Sequence, residues 1–501
     1  METDRLLSSA KDDTSQVAEI DTTSNSLKHQ QQSYRCVILS TWVLIVAIAF
    51  LSSVMITDIR LRRVDGHDNI SGSDSISTNV VESDGISDDA DETSTKRRYH
   101  ATQFLSFTIN TLGGLADKGE CEGRNVDPKS NTCYLGDDDV EQDMNHRLKI
   151  LEEVLSILRN DVFDEEPEID RDPGVLKIVM MPEFLLRGPN GAYSTSQMYD
   201  SSNDEEDGIL IKFADEMRQL IYDDAFEDYL FVLGTVIVAE SNDATDNEKK
   251  PLLNDANDIT YFNFAPVYRG GEDKEGTNQH IVLKKYISNA DFLSRTTLPN
   301  PSDFDMHSYG KKDDSKLLSE TFAKRNLTVV TDNYLEIDGI KIGFEICLDH
   351  RMGALWDNLR MKHDSQLVDV QLITSAGMSI ERGPNPLKHR GVVYLTDGEG
   401  SSAACIRTDT TQVFDPNNVC RGSPDSIQHR PHGGPGYSGF VGLSGCIDME
   451  KSHLLKGYYS MYQPQGCANT LKTYGIDVMD EFKYYPPSIE IYPTIELPNN
   501  N

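Results

Sequence analysis

The chain has 501 residues, of which 38% are hydrophobic and 26% are charged. This is enough apolar material for a full core, so the composition excludes a chain that is disordered throughout. Lys and Arg total 47 against 82 Asp and Glu, which gives a formal net charge of -35. Nucleic-acid binding needs a basic footprint, and the charge balance therefore argues against nucleic acid as a partner.

The first hundred residues divide into a polar tail, an apolar run and an acidic stalk. Residues 1–35 are polar and have no hydrophobic period, which predicts disorder. The run from Cys36 to Ile56 carries no charge and has the length of about 20 residues that a helix needs to cross a bilayer. We therefore predict a transmembrane helix over residues 36–57, followed by a disordered stalk over residues 58–98.

Charges and cysteines give opposite indications about the side of the membrane on which the rest of the chain lies. Three arginines between residues 60 and 63 follow the span, and taken alone they favour a cytosolic C-terminal side. Beyond the span, six cysteines fall in the sequence-near pairs 121/133, 405/420 and 446/467, which is typical of disulfides in an oxidising compartment. Two sequons, at Asn69 and Asn326, are compatible with N-glycosylation. We favour a lumenal or extracellular C-terminal domain.

Helix and strand patterns alternate over residues 99–415. Apolar runs at 103–109, 175–181 and 229–238 predict strands. Between them, apolar residues recur every three or four positions over 140–158 and 210–221, which predicts two amphipathic helices. This alternation indicates an α/β domain with buried sheets. After about residue 415 the elements are less clear, and residues 416–501 are interpreted as a C-terminal extension.

Three strand patterns carry residues that can do chemistry. Glu183 follows an apolar strand, at the end where open α/β sheets commonly place their active sites. Lys284 and Lys285 are adjacent in a strand pattern, so their side chains should point to opposite faces and one of them can enter the interior. Cys347 ends the run from Ile340 and is left over by the cysteine pairing, which predicts a reduced thiol. Taken singly, each has an ordinary explanation: a loop carboxylate, edge-strand lysines and a small buried hydrophobe.

Together these residues resemble the nitrilase superfamily of carbon–nitrogen hydrolases. That family carries a Glu-Lys-Cys triad on a strand ending in Pro-Glu, a lysine strand and a G-x-x-I-C-x-D-x-R motif. The same order appears here as Pro182-Glu183, the lysine pair, and Gly343-Phe-Glu-Ile-Cys347-Leu-Asp349-His-Arg351. Of the two lysines we choose Lys285, because it lies between a basic residue and Tyr286, as in the biotinidase and vanin branch. The likeness covers roughly residues 100 to 415.

The resemblance implies a four-layer α-β-β-α sandwich, commonly a homodimer, that cleaves a small-molecule amide without a metal or cofactor. It implies that Cys347 is the nucleophile, Glu183 the general base and acid, and Lys285 the fixed positive charge. Asp349 and Arg351 resemble supporting residues behind the nucleophile. Many members have a second glutamate after the lysine, for which Glu320 is the candidate. His429 and His432 lie in a Gly/Pro loop without nearby acidic or cysteine ligands, so we assign no metal site to them.

Two alternatives to amide hydrolysis stay open at this point. The same triad can pass the acyl group to an amine instead of water, which would make the protein an N-acyltransferase. A non-catalytic ectodomain that binds a partner is the other alternative, favoured by the absence of Glu from residues 286–319 and opposed by the intact triad residues.

Overall fold

The computed structural model of the chain describes fourteen stretches: 97–127, 131–159, 168–188, 191–194, 208–241, 259–271, 279–287, 327–362, 366–381, 385–407, 440–441, 443–449, 452–462 and 487–498. The tail, the predicted span over 36–57 and nearly all of the stalk lie outside these residues. In the stretches that are described, no helix combines the length and the apolar character needed to cross a membrane.

Twenty strands and four α-helices occur within the described residues. The strands are β1 (Ala101–Thr108), β2 (Gly114–Leu115), β3 (Val126–Asp127), β4 (Thr132–Cys133), β5 (Val175–Met181), β6 (Tyr193–Ser194), β7 (Tyr229–Leu233), β8 (Val236–Ser241), β9 (Ile259–Arg269), β10 (Gln279–Leu283), β11 (Thr328–Val330), β12 (Tyr334–Ile337), β13 (Ile340–Ile346), β14 (Val368–Ser375), β15 (Leu387–Asp397), β16 (Ser401–Ile406), β17 (Phe440–Val441), β18 (Gly445–Asp448), β19 (Ser488–Ile491) and β20 (Ile495–Glu496). The helices are α1 (Val140–Leu158), α2 (Ile209–Ile221), α3 (Leu348–Met352) and α4 (Ala354–Lys362).

Two large sheets carry most of these strands. The first has the order β11-β10-β9-β7-β5-β1-β19-β18, with β6, β8 and β20 attached beside this path, and its centre β1-β5-β7 is parallel. The second has the order β12-β13-β14-β15-β16-β17, with β13, β14 and β15 parallel. Strands β5 and β7 are buried along their whole length, which is why their sequences are almost continuously apolar and do not alternate.

Three apolar clusters hold helices and sheets together. Helices α1 and α2 contribute Leu151 and Met217 to a cluster with residues of the first sheet. Residues of both sheets, among them Ile178 and Leu372, share a second cluster, and Leu355 of α4 joins a third cluster with the second sheet. Burying apolar side chains in these clusters is the main driving force for the fold. The expected α/β class is confirmed, with helix, sheet, sheet and helix in succession.

Part of the segment interpreted as a C-terminal extension belongs to the first sheet. Strand β19 pairs antiparallel with β1, in a register that sets Leu105 opposite Ile491, and β20 pairs with the start of β1. The Thr108 and Ser488 hydroxyls also lie 2.9 Å apart across this pair. The last strands of the chain therefore complete the edge of the sheet that β1 would otherwise form.

The cysteine pairing is confirmed where the structure describes both partners. Cys121 and Cys133 form a disulfide with their Cα atoms 5.7 Å apart. Cys405 and Cys446 are also disulfide-bonded. Cys420 and Cys467, which the sequence pairs with them, lie outside the described residues. Among the described cysteines, Cys347 alone is in no disulfide, as its place outside the three pairs predicted.

Candidate active site

Glu183 lies just past the C-terminal end of β5, where the sequence placed a reactive carboxylate. Its side chain is fully buried, and its Oε1 atom accepts hydrogen bonds from Lys284 Nζ at 2.8 Å and from Asn263 Nδ2 at 3.0 Å. A buried charge is costly unless an opposite charge and hydrogen bonds compensate it. The ion pair with Lys284 therefore explains how a carboxylate is accommodated at this depth.

The chosen lysine, Lys285, is not the one that the structure places against Glu183. The Lys284 side chain is buried at 1% exposure and pairs with Glu183, whereas Lys285 is exposed and its Nζ lies over the ring of Tyr286. The two lysines do point to opposite sides, as strand geometry required, but the inward one is Lys284. Tyr286 stands two positions after Lys284, so the lysine–tyrosine pair, one of the features that favoured the biotinidase and vanin branch, does not include the lysine that binds Glu183.

Cys347 occupies the turn between β13 and helix α3. Its backbone has φ 47° and ψ -112°, a conformation that costs a non-glycine residue about 1–3 kcal/mol. The turn is fixed on both sides, since Cys347 N–H donates to Thr374 O at 2.9 Å and Cys347 O accepts from His350 N–H at 2.9 Å. The thiol is only 4% exposed. A sharp, strained turn that presents a reduced thiol is a suitable site for a nucleophile.

The end of β14 ties the glutamate strand to the cysteine turn. Thr374 accepts the Cys347 N–H through its carbonyl, and its hydroxyl donates to Met181 O at 2.9 Å. The next residue, Ser375, accepts the Glu183 N–H at 3.2 Å. The backbones of Glu183 and Cys347 are thus bonded to two consecutive residues, which brings Glu183 and Cys347 to the same end of the two packed sheets.

Backbone strain concentrates at this place. Six described non-glycine residues have positive φ, and three of them are Asn or Asp, which tolerate that conformation. Of the remaining three, one is Cys347 and another is Phe184, directly after Glu183, with φ 65°. The Phe184 turn is held by its N–H, which donates to Thr235 Oγ1 at 3.0 Å, and by Thr111 Oγ1, which donates to Glu183 O at 2.6 Å.

Asp349 lies two residues after Cys347 and binds the backbone at the lysine pair. It is fully buried, and its carboxylate accepts the backbone N–H groups of Lys285 and Tyr286 at 2.8–3.1 Å. These bonds fix the end of the strand that carries Lys284. Burial raises the pKa of the Asp349 carboxyl to about 7, against the opposing effect of those N–H groups and of the Lys284 ammonium.

Arg351, the other residue to which the resemblance gave a supporting role, is exposed. It lies on the exposed side of the five-residue helix α3. Asn263 was not placed in the site from the sequence. The sequence does contain an indication of its role, because a buried amide in the middle of an otherwise apolar strand requires a polar partner.

The candidate for the second glutamate, Glu320, lies outside the described residues, as do His429 and His432, to which no metal site was assigned. Within the stretches that are described, no group of three or more His, Cys, Asp and Glu side chains is placed to hold a metal ion.

Comparison with known proteins yields distant structural likenesses. No family model and no curated protein matches the chain. Among solved structures, it is similar to Saccharomyces cerevisiae Nit3, a member of branch 10 of the nitrilase superfamily, at 14% identity over 61% of this chain and 82% of that chain, with a TM-score of 0.27. An amidase from Nesterenkonia sp. matches at 9% identity over 62% and 84%, with a TM-score of 0.27. A carbon–nitrogen hydrolase from Helicobacter pylori G27 matches at 14% identity over 62% and 83%, with a TM-score of 0.26.

Proposed function

We propose that this protein is an amidohydrolase of the nitrilase type, which cleaves the C–N bond of a small-molecule, non-peptide amide through a thioester on Cys347. In this proposal Glu183 is the general base and acid, and Lys284 takes the role that the sequence had given to Lys285. The observation that carries it is the buried Glu183–Lys284 ion pair, 2.8 Å long, at the same end of the sheets as a strained, reduced cysteine.

Acylation begins with transfer of the Cys347 thiol proton to Glu183. The thiolate attacks the amide carbonyl carbon, and a C–S bond forms as the carbonyl electrons move to oxygen. Lys284 stabilises this oxyanion, together with the backbone N–H that follows Cys347. Glu183 then returns its proton to the nitrogen, the C–N bond breaks, and ammonia or an amine leaves.

Deacylation uses the same carboxylate. Glu183 accepts a proton from water, and the oxygen attacks the thioester carbon. The C–S bond then breaks to release a carboxylic acid, and Glu183 returns its proton to the Cys347 sulfur, which restores the thiol and the carboxylate. Because Lys284 is paired with the ionised Glu183 before and after turnover, the resting site carries a compensated charge pair, which limits the cost of keeping it buried.

The rest of the chain sets where we expect this reaction to occur. The charge-free run from Cys36 to Ile56 supports a single-pass membrane anchor. The disulfides at Cys121, Cys133, Cys405 and Cys446 support a lumenal or extracellular catalytic domain, because such bonds persist in oxidising compartments. A homodimer belongs to the same proposal, and light scattering on the detergent-purified protein tests it.

The test measures ammonia or amine release from a panel of small primary and secondary carboxamides by the full-length protein. Cys347→Ser is the matched variant, because it replaces the thiol by a hydroxyl of similar size and leaves the rest of the turn unchanged. We expect turnover by the wild type and none by Cys347→Ser at an unchanged unfolding midpoint. Equal turnover by the two proteins would refute the thioester route.

The same assay separates hydrolysis from acyl transfer and from partner binding. Product that forms only when an acceptor amine is added would identify an N-acyltransferase. A wild-type protein that turns over no amide, with or without an acceptor, would favour the non-catalytic ectodomain.

A further inference from the structure

A second buried charged group lies directly behind the cysteine turn. Glu345 on β13 and His350 on α3 are both fully buried, and Glu345 Oε2 lies 2.7 Å from His350 Nδ1. The same carboxylate accepts the backbone N–H of Leu355 at 2.8 Å, at the start of α4, and the side-chain amide of Gln371 on β14 at 2.7 Å. One carboxylate therefore joins two strands and two helices around Cys347.

The hydrogen bonds determine the tautomer of the histidine. The backbone N–H of Glu381 donates to His350 Nε2 at 3.0 Å, so Nε2 carries no proton. The proton is therefore on Nδ1 and is donated to Glu345. The pair is a neutral imidazole held by a carboxylate, and the histidine in turn holds the backbone at Glu381.

This group controls the surroundings of a strained residue. A backbone conformation such as that of Cys347 persists only where neighbouring contacts over-determine it. His350 supplies the N–H that binds Cys347 O, and its ring is fixed by Glu345. Gly343, two residues before Glu345, permits the close approach of α4, because a Cβ there would lie 2.2 Å from Leu355 Cδ2.

We propose that Glu345 and His350 are positioning residues that hold Cys347 in its attacking orientation and tie the backbone at Glu381 to the cysteine turn. Neither touches the substrate in this role. The turnover readout rests on the proposed amidohydrolase activity, whereas the reactivity of the thiol towards a small alkylating agent does not. Measuring both keeps a failure of this inference distinct from a failure of the proposed function.

Glu345→Gln is the informative variant. In this variant an amide NH₂ replaces Oε2 and faces two hydrogen-bond donors, the Gln371 amide and the His350 Nδ1–H. The imidazole can accept the new N–H at Nδ1 only if its own proton moves to Nε2. There the proton meets the Glu381 backbone N–H. The rescue is the exchange Glu345→Gln/Gln371→Glu, because the Gln371 amide nitrogen lies 3.3 Å from His350 Nδ1 and a carboxylate oxygen there accepts the Nδ1 proton. The matched control is Glu490→Gln, which changes a buried glutamate on β19 that binds Ser402.

We expect Glu345→Gln to lower kcat by about 100-fold with KM nearly unchanged, as for a nucleophile misplaced by about 1 Å. The rate of Cys347 alkylation by iodoacetamide should fall in parallel, and the exchanged pair should recover most of both rates. Glu490→Gln should lower the unfolding midpoint without changing either rate. Should Glu345→Gln fail to fold, the exchanged pair compared with Gln371→Glu alone gives the same test.

An alkylation rate that is unchanged in Glu345→Gln, or one that falls equally in Glu490→Gln, would overturn the positioning role. If no variant or wild-type protein hydrolyses an amide but the alkylation rates follow this pattern, the positioning role stands and the proposed reaction fails.

Discussion

The adjacent lysines offer a matched pair of substitutions. Lys284→Met removes the buried ammonium that binds Glu183, while Lys285→Met removes an exposed one of the same chemistry. Deleting one partner of a buried ion pair leaves an uncompensated charge and costs about 3–5 kcal/mol of unfolding free energy. An exposed substitution stays within about 0.5 kcal/mol of the wild type. The two variants should therefore separate clearly in urea unfolding.

Their activities should separate as well. Loss of a preorganised charge that stabilises an oxyanion lowers kcat by about 100- to 1000-fold, so Lys284→Met should lose nearly all amide turnover and Lys285→Met should keep it. Removing both charges with Glu183→Gln/Lys284→Met should recover stability, because no buried charge is left unpaired, but should not recover activity. Equal losses in the two lysine variants, or a larger loss in Lys285→Met, would refute the assignment of Lys284.

Three further outcomes follow from the described contacts. Burial raises the pKa of Asp349 to about 7, so ionisation of this carboxyl destabilises the folded state. As the pH rises from about 4 to about 7, the unfolding free energy of the wild type should therefore fall relative to that of Asp349→Asn, by up to about 4 kcal/mol. Urea unfolding of both proteins across that range measures it, and a constant difference would contradict the burial effect. Replacing Cys121 and Cys133 by Ser should lower the unfolding free energy by about 2–3 kcal/mol, read by the same method, and a loss near zero would show that the loop needs no cross-link. Arg351→Ala should leave kcat unchanged in the amide assay, whereas a large loss would restore the supporting role that the resemblance gave it.

The sequence predicted the elements whose signal is local. The apolar runs before Glu183 and Cys347 are strands β5 and β13, and the three- and four-residue spacing over 140–158 is helix α1. The disulfide between Cys121 and Cys133 also followed from spacing. In each case the pattern involves residues that are close together in the chain, so it can be recognised in a single sequence.

The local sequence does not indicate which of the two adjacent lysines faces the interior. Ile281 and Val282 are both buried, in clusters on opposite faces of the sheet, so the strand shows no polar and apolar alternation before Lys284. Which of the two lysines points inward depends on a contact with Glu183, which lies about a hundred residues earlier in the chain. Local pattern carries no information about such a contact.

Long-range pairing also explains the C-terminal strands. Strand β19 is four residues long, and its partner β1 lies at the other end of the described chain. Nothing in the local sequence distinguishes Ser488–Ile491 from an irregular segment until β1 is placed beside it. Strand propensity depends on such packing more than on the residues themselves.

The most direct test of the account is to trap the acyl-enzyme. The full-length protein is quenched in acid during turnover of an amide that the panel identifies, digested and mapped by mass spectrometry. We predict the acyl mass on the peptide that contains Cys347, its removal by hydroxylamine, its presence in Lys285→Met and its absence from Lys284→Met. Amide turnover with no acyl mass on Cys347 would contradict the account.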